Sequence, residues 1–254
     1  MGILEHLLYH FCPDTLNLYG DRGNIICLKK RCEWRGISLH IEEIKNPDDA
    51  RKTGSDLFMI GGGSDREQSI VTSRLAPLVK EIRAWIEDGV SALTICGGYQ
   101  FLGDYYEMKN GEKLKGMGIL PFYTKAGEDR LMTNLLVESK QFGKVVGFEN
   151  HGGKTYHHFE TIGKVINGYG NNEESGEEGL HYHHLIGTYL HGPILPKNPK
   201  IADYLIEKAF ERKTGRKLEP LDDEMENKET RPFGRDFCTL NGKNIKMKRE
   251  DKIS

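Results

Sequence analysis

The stretch Val90-Ser91-Ala92-Leu93-Thr94-Ile95-Cys96-Gly97-Gly98-Tyr99-Gln100-Phe101-Leu102 decides the fold. An apolar run breaks at one cysteine and two glycines before a second apolar spacing begins, so it reads as strand, sharp elbow and helix. A cysteine at such an elbow exposes its side chain, and the backbone N–H of the next residue, Gly97, points to where an oxyanion would form. A side chain at Gly97 or Gly98 would obstruct the turn and the close approach of helix to strand. A thiolate there also lies at a helix N-terminus, whose partial positive charge lowers a cysteine pKa. The plainer alternative is that Cys96 is a small buried hydrophobe at a strand end.

The rest of the chain supplies the context. At 254 residues it is long enough for one large α/β domain or two small ones. With 36 basic and 38 acidic residues and a formal net charge of −2, the balance points away from a nucleic-acid binder or a basic membrane-surface protein. No apolar run reaches the ~20 residues of a membrane span. The N-terminal residues carry neither the basic region of a signal peptide nor the myristoylation pattern, so a cytoplasmic protein is expected. The five cysteines are odd in number and hold no C-x-x-C pair, so a disulfide framework or zinc ribbon is not expected.

In chain order, residues 7–11 read as a first strand and residues 17–24 as a polar, Gly-rich loop in which Asp21 can cap the helix that follows. That helix spans about residues 23–35 and stops at Gly36; alternation over residues 37–42 gives a second strand. Residues 56–60 form a short apolar run ending at Gly61-Gly62-Gly63-Ser64-Asp65, the pattern of a buried parallel strand and its C-terminal loop. Ligand sites in parallel sheets lie at such ends, which makes this loop a neighbour of the elbow and the Gly62 region a second oxyanion donor. A plain tight turn is the alternative. The glycine run lacks the Lys-Ser or Lys-Thr of a phosphate loop.

Helical spacing from Ile70 to Ile86, restarted at Pro77, leads into the Val90 strand and completes a parallel strand-helix-strand unit. Beyond the elbow helix, residues 109–112 are a hairpin signal and residues 117–122 read as a strand. Residues 123–159 hold short strands (135–138 and 145–148) and polar turns, with Arg130 in a loop where its guanidinium could fork onto a carboxylate or simply be solvated. Residues 168–178 read as a flexible acidic loop. Residues 186–191 form a strand ending in His191, where a base for a cysteine would be placed. Seven histidines lie between His151 and His191, but their spacing matches no metal motif, and no metal is expected. Asn198-Pro199 opens a last amphipathic helix to Gly215. The organisation expected is one domain over residues 1–215 and a charged tail, residues 216–254, that is mobile or docks a partner.

Together these features resemble a class I, triad-type glutamine amidotransferase. Thr94-Ile95-Cys96-Gly97-Gly98-Tyr99-Gln100 is similar to that family's G-x-C-x-G-x-Q pattern, and Thr188-Tyr189-Leu190-His191-Gly192 resembles the histidine motif of its cobyric-acid-synthase-like branch. Four further blocks, residues 16–24, 61–68, 147–153 and 168–172, look like those of the glutaminase subunits of lipid II isoglutaminyl synthases. The resemblance implies an α/β, flavodoxin-like domain with a mostly parallel central sheet, helices on both faces and a nucleophile elbow. It implies Cys96 and His191 as catalytic pair, Gly62 and Gly97 as oxyanion donors and Arg130 as the group binding the glutamine α-carboxylate. No cofactor is implied in this subunit. ATP and Mg belong to a Mur-ligase-like partner (MurT), with which the chain would form a heterodimer and which would amidate the D-glutamate of the lipid II stem peptide.

Two positions depart from the pattern. Thr94 replaces its first glycine, and His191 is followed by Gly192-Pro193 where most triad members carry a glutamate two residues on. The third acid is missing from its usual place, with Glu149 and Glu173-Glu174 as internal candidates. Two other functions stay open at this level: a glutaminase serving cobyrinate-type amidation, and a non-catalytic scaffold with Cys96 as core.

Overall fold

The computed structural model describes residues 4–16, 21–50, 54–63 and 65–221. Among them a six-stranded sheet is built from β1 (Leu4–Phe11), β2 (Ile37–Ile44), β3 (Leu57–Ile60), β4 (Ser91–Ile95), β11 (Leu180–Tyr182) and β12 (Leu185–Thr188), in the order β11-β12-β4-β3-β1-β2. All its pairings are parallel except β11 with β12. Every residue of β3 and β4 is buried, which is why both read as unbroken apolar runs rather than alternating ones: helices cover the two faces. Residues of β1 show this directly. Tyr9 packs edge-on against Trp85 of α3 (Val79–Glu87) at 5.8 Å, while His6, of the opposite parity, lies 6.2 Å from Phe210 of α6 (Pro199–Thr214). The α/β architecture expected from the sequence is therefore present, helices on both faces included.

The chain leaves β1 through α1 (Arg22–Glu33) to β2, then crosses back past β1 to β3, so the strand order reverses between β1 and β3. A crevice opens at the C-terminal ends of strands at such a reversal. From β3 the chain passes through α2 (Asp65–Leu75), a short 3-10 turn holding Pro77, and α3 to β4. The break at Pro77 follows from its missing N–H. Helices α1 and α6 are tied by Arg31, whose Nε and guanidinium nitrogen donate to the two oxygens of Asp203 at 2.6 and 2.7 Å. Gly215, with φ +68°, ends α6 as a left-handed cap, at the residue where the sequence places the end of the helix.

A second sheet contains β5 (Tyr105–Glu107), β6 (Lys113–Lys115), β7 (Tyr123–Ser139), β8 (Gly143–Tyr156), β9 (Gly163–Asn167) and β10 (Glu177–Glu178). Here the structure corrects three expectations. Residues 123–156 form one long hairpin rather than short strands and turns, and Arg130 lies within β7 at a register shift between Ala126 and Leu131, not in a loop. Residues 117–122 are not a strand. The N–H groups of Met117, Gly118 and Ile119 donate to the carbonyls of Phe101, Gly103 and Leu102 at the end of α4 (Gly97–Phe101), satisfying acceptors that a helix end leaves open. The acidic segment 168–178 is held in place: Glu149 accepts the N–H groups of Tyr169 and Gly170 at 2.7 and 2.9 Å, and Glu178 is fully buried.

The reading of the tail as a mobile or docking arm falls largely on residues 222–254, which lie outside the described residues. Among the described residues no helix is long and apolar enough to cross a membrane.

Candidate active site

Cys96 occupies the sharp turn between β4 and α4 with φ 49° and ψ −107°. A non-glycine residue in that region is strained by roughly 1–3 kcal/mol, and such strain persists only where surroundings over-determine it. Two bonds do so: the Cys96 N–H donates to Thr188 O at 2.8 Å and its carbonyl accepts from Gln100 at 2.9 Å. Gly98 is required beside it, since a Cβ there would lie 2.6 Å from the carbonyl oxygens of Ile60 and Gly61. The helix N-terminus behind Cys96 belongs to a five-residue helix, so the geometry of the turn matters more than the macrodipole.

His191 arrives from a different part of the chain. It sits three residues past the end of β12 rather than on its last residue, and is fixed by a two-way backbone bridge to Phe148 of β8: its N–H donates to Phe148 O at 2.7 Å, and it accepts in return at 3.3 Å. It is fully buried. Burial foremost, then electrostatic interaction with His151 and Arg130, pulls its pKa down to about 3. An imidazole so placed stays neutral and takes a proton reluctantly unless a negative charge is brought to it.

The Gly61-Gly62-Gly63 loop closes the space between these two side chains. A Cβ on Gly62 would meet His191 Cε1 at 3.2 Å, Asp21 Oδ2 at 3.4 Å and Cys96 Cβ at 3.6 Å. Gly62 thus has both the Cys96 and the His191 side chains as immediate neighbours. The Gly62 N–H, however, is not aimed at that space as a ready oxyanion donor: it donates to Asp21 Oδ2 at 2.6 Å. Asp21 does not cap α1 as its position suggests, for no side-chain cap bond forms. Its carboxyl turns inward instead, is fully buried, and is pushed up to about 7 by burial, against the Gly62 hydrogen bond.

Arg130 is presented by the second sheet, from β7. Its guanidinium is exposed and held by Asn150, through the side-chain oxygen and, at 3.1 Å, the backbone carbonyl. It lines a cleft of about 530 Å³ with Tyr106, Met108, Gly127 and Gly152. Its charge reaches His191, as the histidine's lowered pKa records. A cavity of about 590 Å³ around His6 and Asp56 lies at the N-terminal end of β1 and before β3, the end of a parallel sheet that ligands do not use.

Two of the internal acid candidates, Glu149 and Glu173, are committed elsewhere. Glu149 clamps the 168–170 backbone and lies 3.5 Å from His151 Nε2; Glu173 pairs with Lys154. His151, with Nδ1–H donating to Gly153 O at 2.7 Å, stacks on Tyr189 at 3.6 Å. Other histidines serve as packing groups: His181 and His184 both reach the Tyr204 hydroxyl, and His157 the Gly179 carbonyl. Among the described residues no group of three or more His, Cys, Asp or Glu is placed to hold a metal ion. Three participants escaped the sequence reading: Asp21 at Gly62, Asn150 orienting Arg130, and His151 beside His191. Asp21, Asn150 and His151 all lie within blocks whose resemblance was noted, but nothing in their spacing shows which long-range neighbour each one meets.

With this geometry in view, comparison with known proteins is informative. Residues 8–199 match the model of the CobB/CobQ-like glutamine amidotransferase domain. The chain is 53% identical over 224 residues to the lipid II isoglutaminyl synthase (glutamine-hydrolyzing) subunit GatD of Staphylococcus aureus strain N315, covering 87% of this chain and 92% of the relative. It is 35% identical over 214 residues to the subunit of the same name from Streptococcus pneumoniae strain R6, covering 83% and 82%. A solved glutamine amidotransferase structure shares the fold at TM-score 0.55 and 16% identity, over 82% of this chain and 99% of that one.

Proposed function

The chain belongs to the CobB/CobQ-like glutamine amidotransferase family, and on that premise we propose that it is the glutaminase subunit of a lipid II isoglutaminyl synthase. The Cys96 sulfur adds to the side-chain amide carbon of glutamine and His191 takes the thiol proton. The amide π pair moves onto oxygen, where the Gly97 N–H and an N–H of the Gly62 loop receive it. Collapse expels ammonia, protonated by His191, and water then cleaves the thioester to glutamate. Arg130 binds the α-carboxylate in the cleft it lines.

Ammonia passes to a Mur-ligase-like partner, MurT, in a heterodimer on the cytoplasmic side. There ATP and Mg activate the D-glutamate carboxylate of the lipid II stem peptide, while this subunit uses no cofactor. Residues 1–215 form the catalytic domain, and the charged tail from 216 is a mobile arm or a docking segment for the partner. High identity across nearly the whole length of an isoglutaminyl synthase subunit favours this partner over a cobyrinate-amidating one.

One observation carries the chemistry: a strained cysteine and a buried histidine that both adjoin Gly62. Cys96 combines φ 49° with ψ −107°, well away from the left-handed basin near ψ +47°. Cys96→Ser tests it, since serine is a far weaker nucleophile in the same shape. Ammonia release should vanish while the melting temperature stays within a few degrees of the wild type; undiminished release would refute the assignment.

A further inference from the structure

The Gly62 N–H has one hydrogen, and in this structure Asp21 holds it. The two residues are 41 positions apart, and the bond between them, at 2.6 Å, is buried. The other oxygen of Asp21, Oδ1, is buried with no hydrogen-bond partner among the described residues, so the carboxyl is retained at the cost of desolvation rather than for a satisfied network. An oxyanion on the carbon attacked by Cys96 needs donors at roughly 2.7–3.1 Å. While the Asp21 bond stands, Gly62 cannot be one of them.

We infer that Asp21 is a positioning residue that withholds the Gly62 N–H from the oxyanion site, so that this chain rests in a low-activity arrangement until the glycine loop turns away from Asp21. The inference rests on the reading of Cys96 as the glutaminase nucleophile. The surroundings fit a latch. A Cβ on Gly61 would lie 2.3 Å from Leu16 O and 2.9 Å from Asp21 Oδ2, and one on Gly63 would lie 2.4 Å from Leu16 Cδ2. Leu16 and Asp21 thus lie close against the three glycines, while the absence of side chains leaves their peptide planes free to reorient. Burial of Asp21 weakens the grip when the carboxyl is protonated, because a neutral acceptor binds less strongly than an ionised one.

The test compares the full-length wild type with Asp21→Asn and Asp21→Ala, measuring kcat and KM for glutamine, the melting temperature, and labelling of Cys96 by a diazoketone analogue of glutamine. Asn keeps the shape but replaces a charge-assisted bond with a neutral one, and Ala removes the acceptor. Expected is a rise in kcat of about tenfold for Asn and at least as much for Ala, with KM within about twofold. A purely structural role would lower the melting temperature and kcat together and could not raise kcat. A fall or no change in kcat for both variants, with labelling intact, overturns the latch and leaves the Cys96 assignment standing. Absence of labelling and of turnover in the wild type overturns that assignment itself, and the latch with it.

Discussion

Gly62→Ala places a single methyl group against both the proposed nucleophile and the base, and the cost can be worked from the contacts it would make. The new Cβ would sit 3.2 Å from His191 Cε1, tighter than an ordinary contact, and 3.4 Å from Asp21 Oδ2 and 3.6 Å from Cys96 Cβ, both ordinary ones. His191 cannot yield easily, being fully buried and bridged to Phe148, so relief comes from widening the gap to Cys96 by a few tenths of an ångström. The methyl also occupies space the substrate amide must enter. A misplacement of about 1 Å costs roughly 10²-fold, or about 2.7 kcal/mol at 1.36 kcal/mol per decade; a smaller shift together with the blocked substrate space should lower kcat/KM for ammonia release by about tenfold up to that limit. Stability should change little. Gly62 is outside the left-handed region, so Ala adds no backbone strain; its lower unfolded-state entropy returns roughly 0.4–1 kcal/mol against an overpacking cost of about 1 kcal/mol. The melting temperature should stay within about 4 °C. The reasoning is refuted if the variant, folded by that criterion, releases ammonia within threefold of the wild-type rate.

Three further outcomes are expected. Arg130→Ala should raise KM for glutamine about tenfold with kcat little changed, the low end of the range for a charge-assisted fork because the guanidinium is exposed; an unchanged KM returns Arg130 to a solvated surface role. The isolated chain should be a slow glutaminase that the ligase partner accelerates. His191 is held near pKa 3, and Glu149 and Glu173 are engaged elsewhere; changing the partner's interface carboxylates to amides one at a time should identify one that removes the acceleration, and indifference to all of them would exclude a shared site. Glu178 is fully buried and pushed up to about 7, chiefly by burial. Its folded-state pKa lies above the unfolded value, so the folded protein binds more protons and loses stability as pH rises from about 4.5 through 7. Glu178→Gln cannot titrate and can still accept from Thr188 Oγ1 and the Tyr189 N–H. Its stability relative to wild type should improve by up to about 3 kcal/mol between pH 5 and pH 8 in denaturant titrations, and a pH-independent difference would contradict the burial argument.

The elbow at Cys96, the helix break at Pro77, the buried strand before Gly61 and the stop at Gly215 were legible in the sequence, because each is dictated by a few adjacent residues. A φ that only small neighbours permit, an imino acid without an N–H, an apolar run of strand length and a left-handed glycine all act locally. The family blocks also placed Cys96, His191, Gly62 and Arg130 as candidates, and the structure brings the first three together. What only tertiary structure decided is where the carboxylates go. Asp21 has the local chemistry of a helix cap, yet its side chain meets Gly62, 41 positions away. Glu149 has the type of a catalytic acid and is spent on two backbone N–H groups, and Glu178 looks like part of a solvated acidic run and is fully buried. A buried polar atom must find a partner wherever the packing of distant segments supplies one. That demand sends residues 117–122 to the end of α4 and Arg130 into a strand, and spacing along the chain carries no record of it.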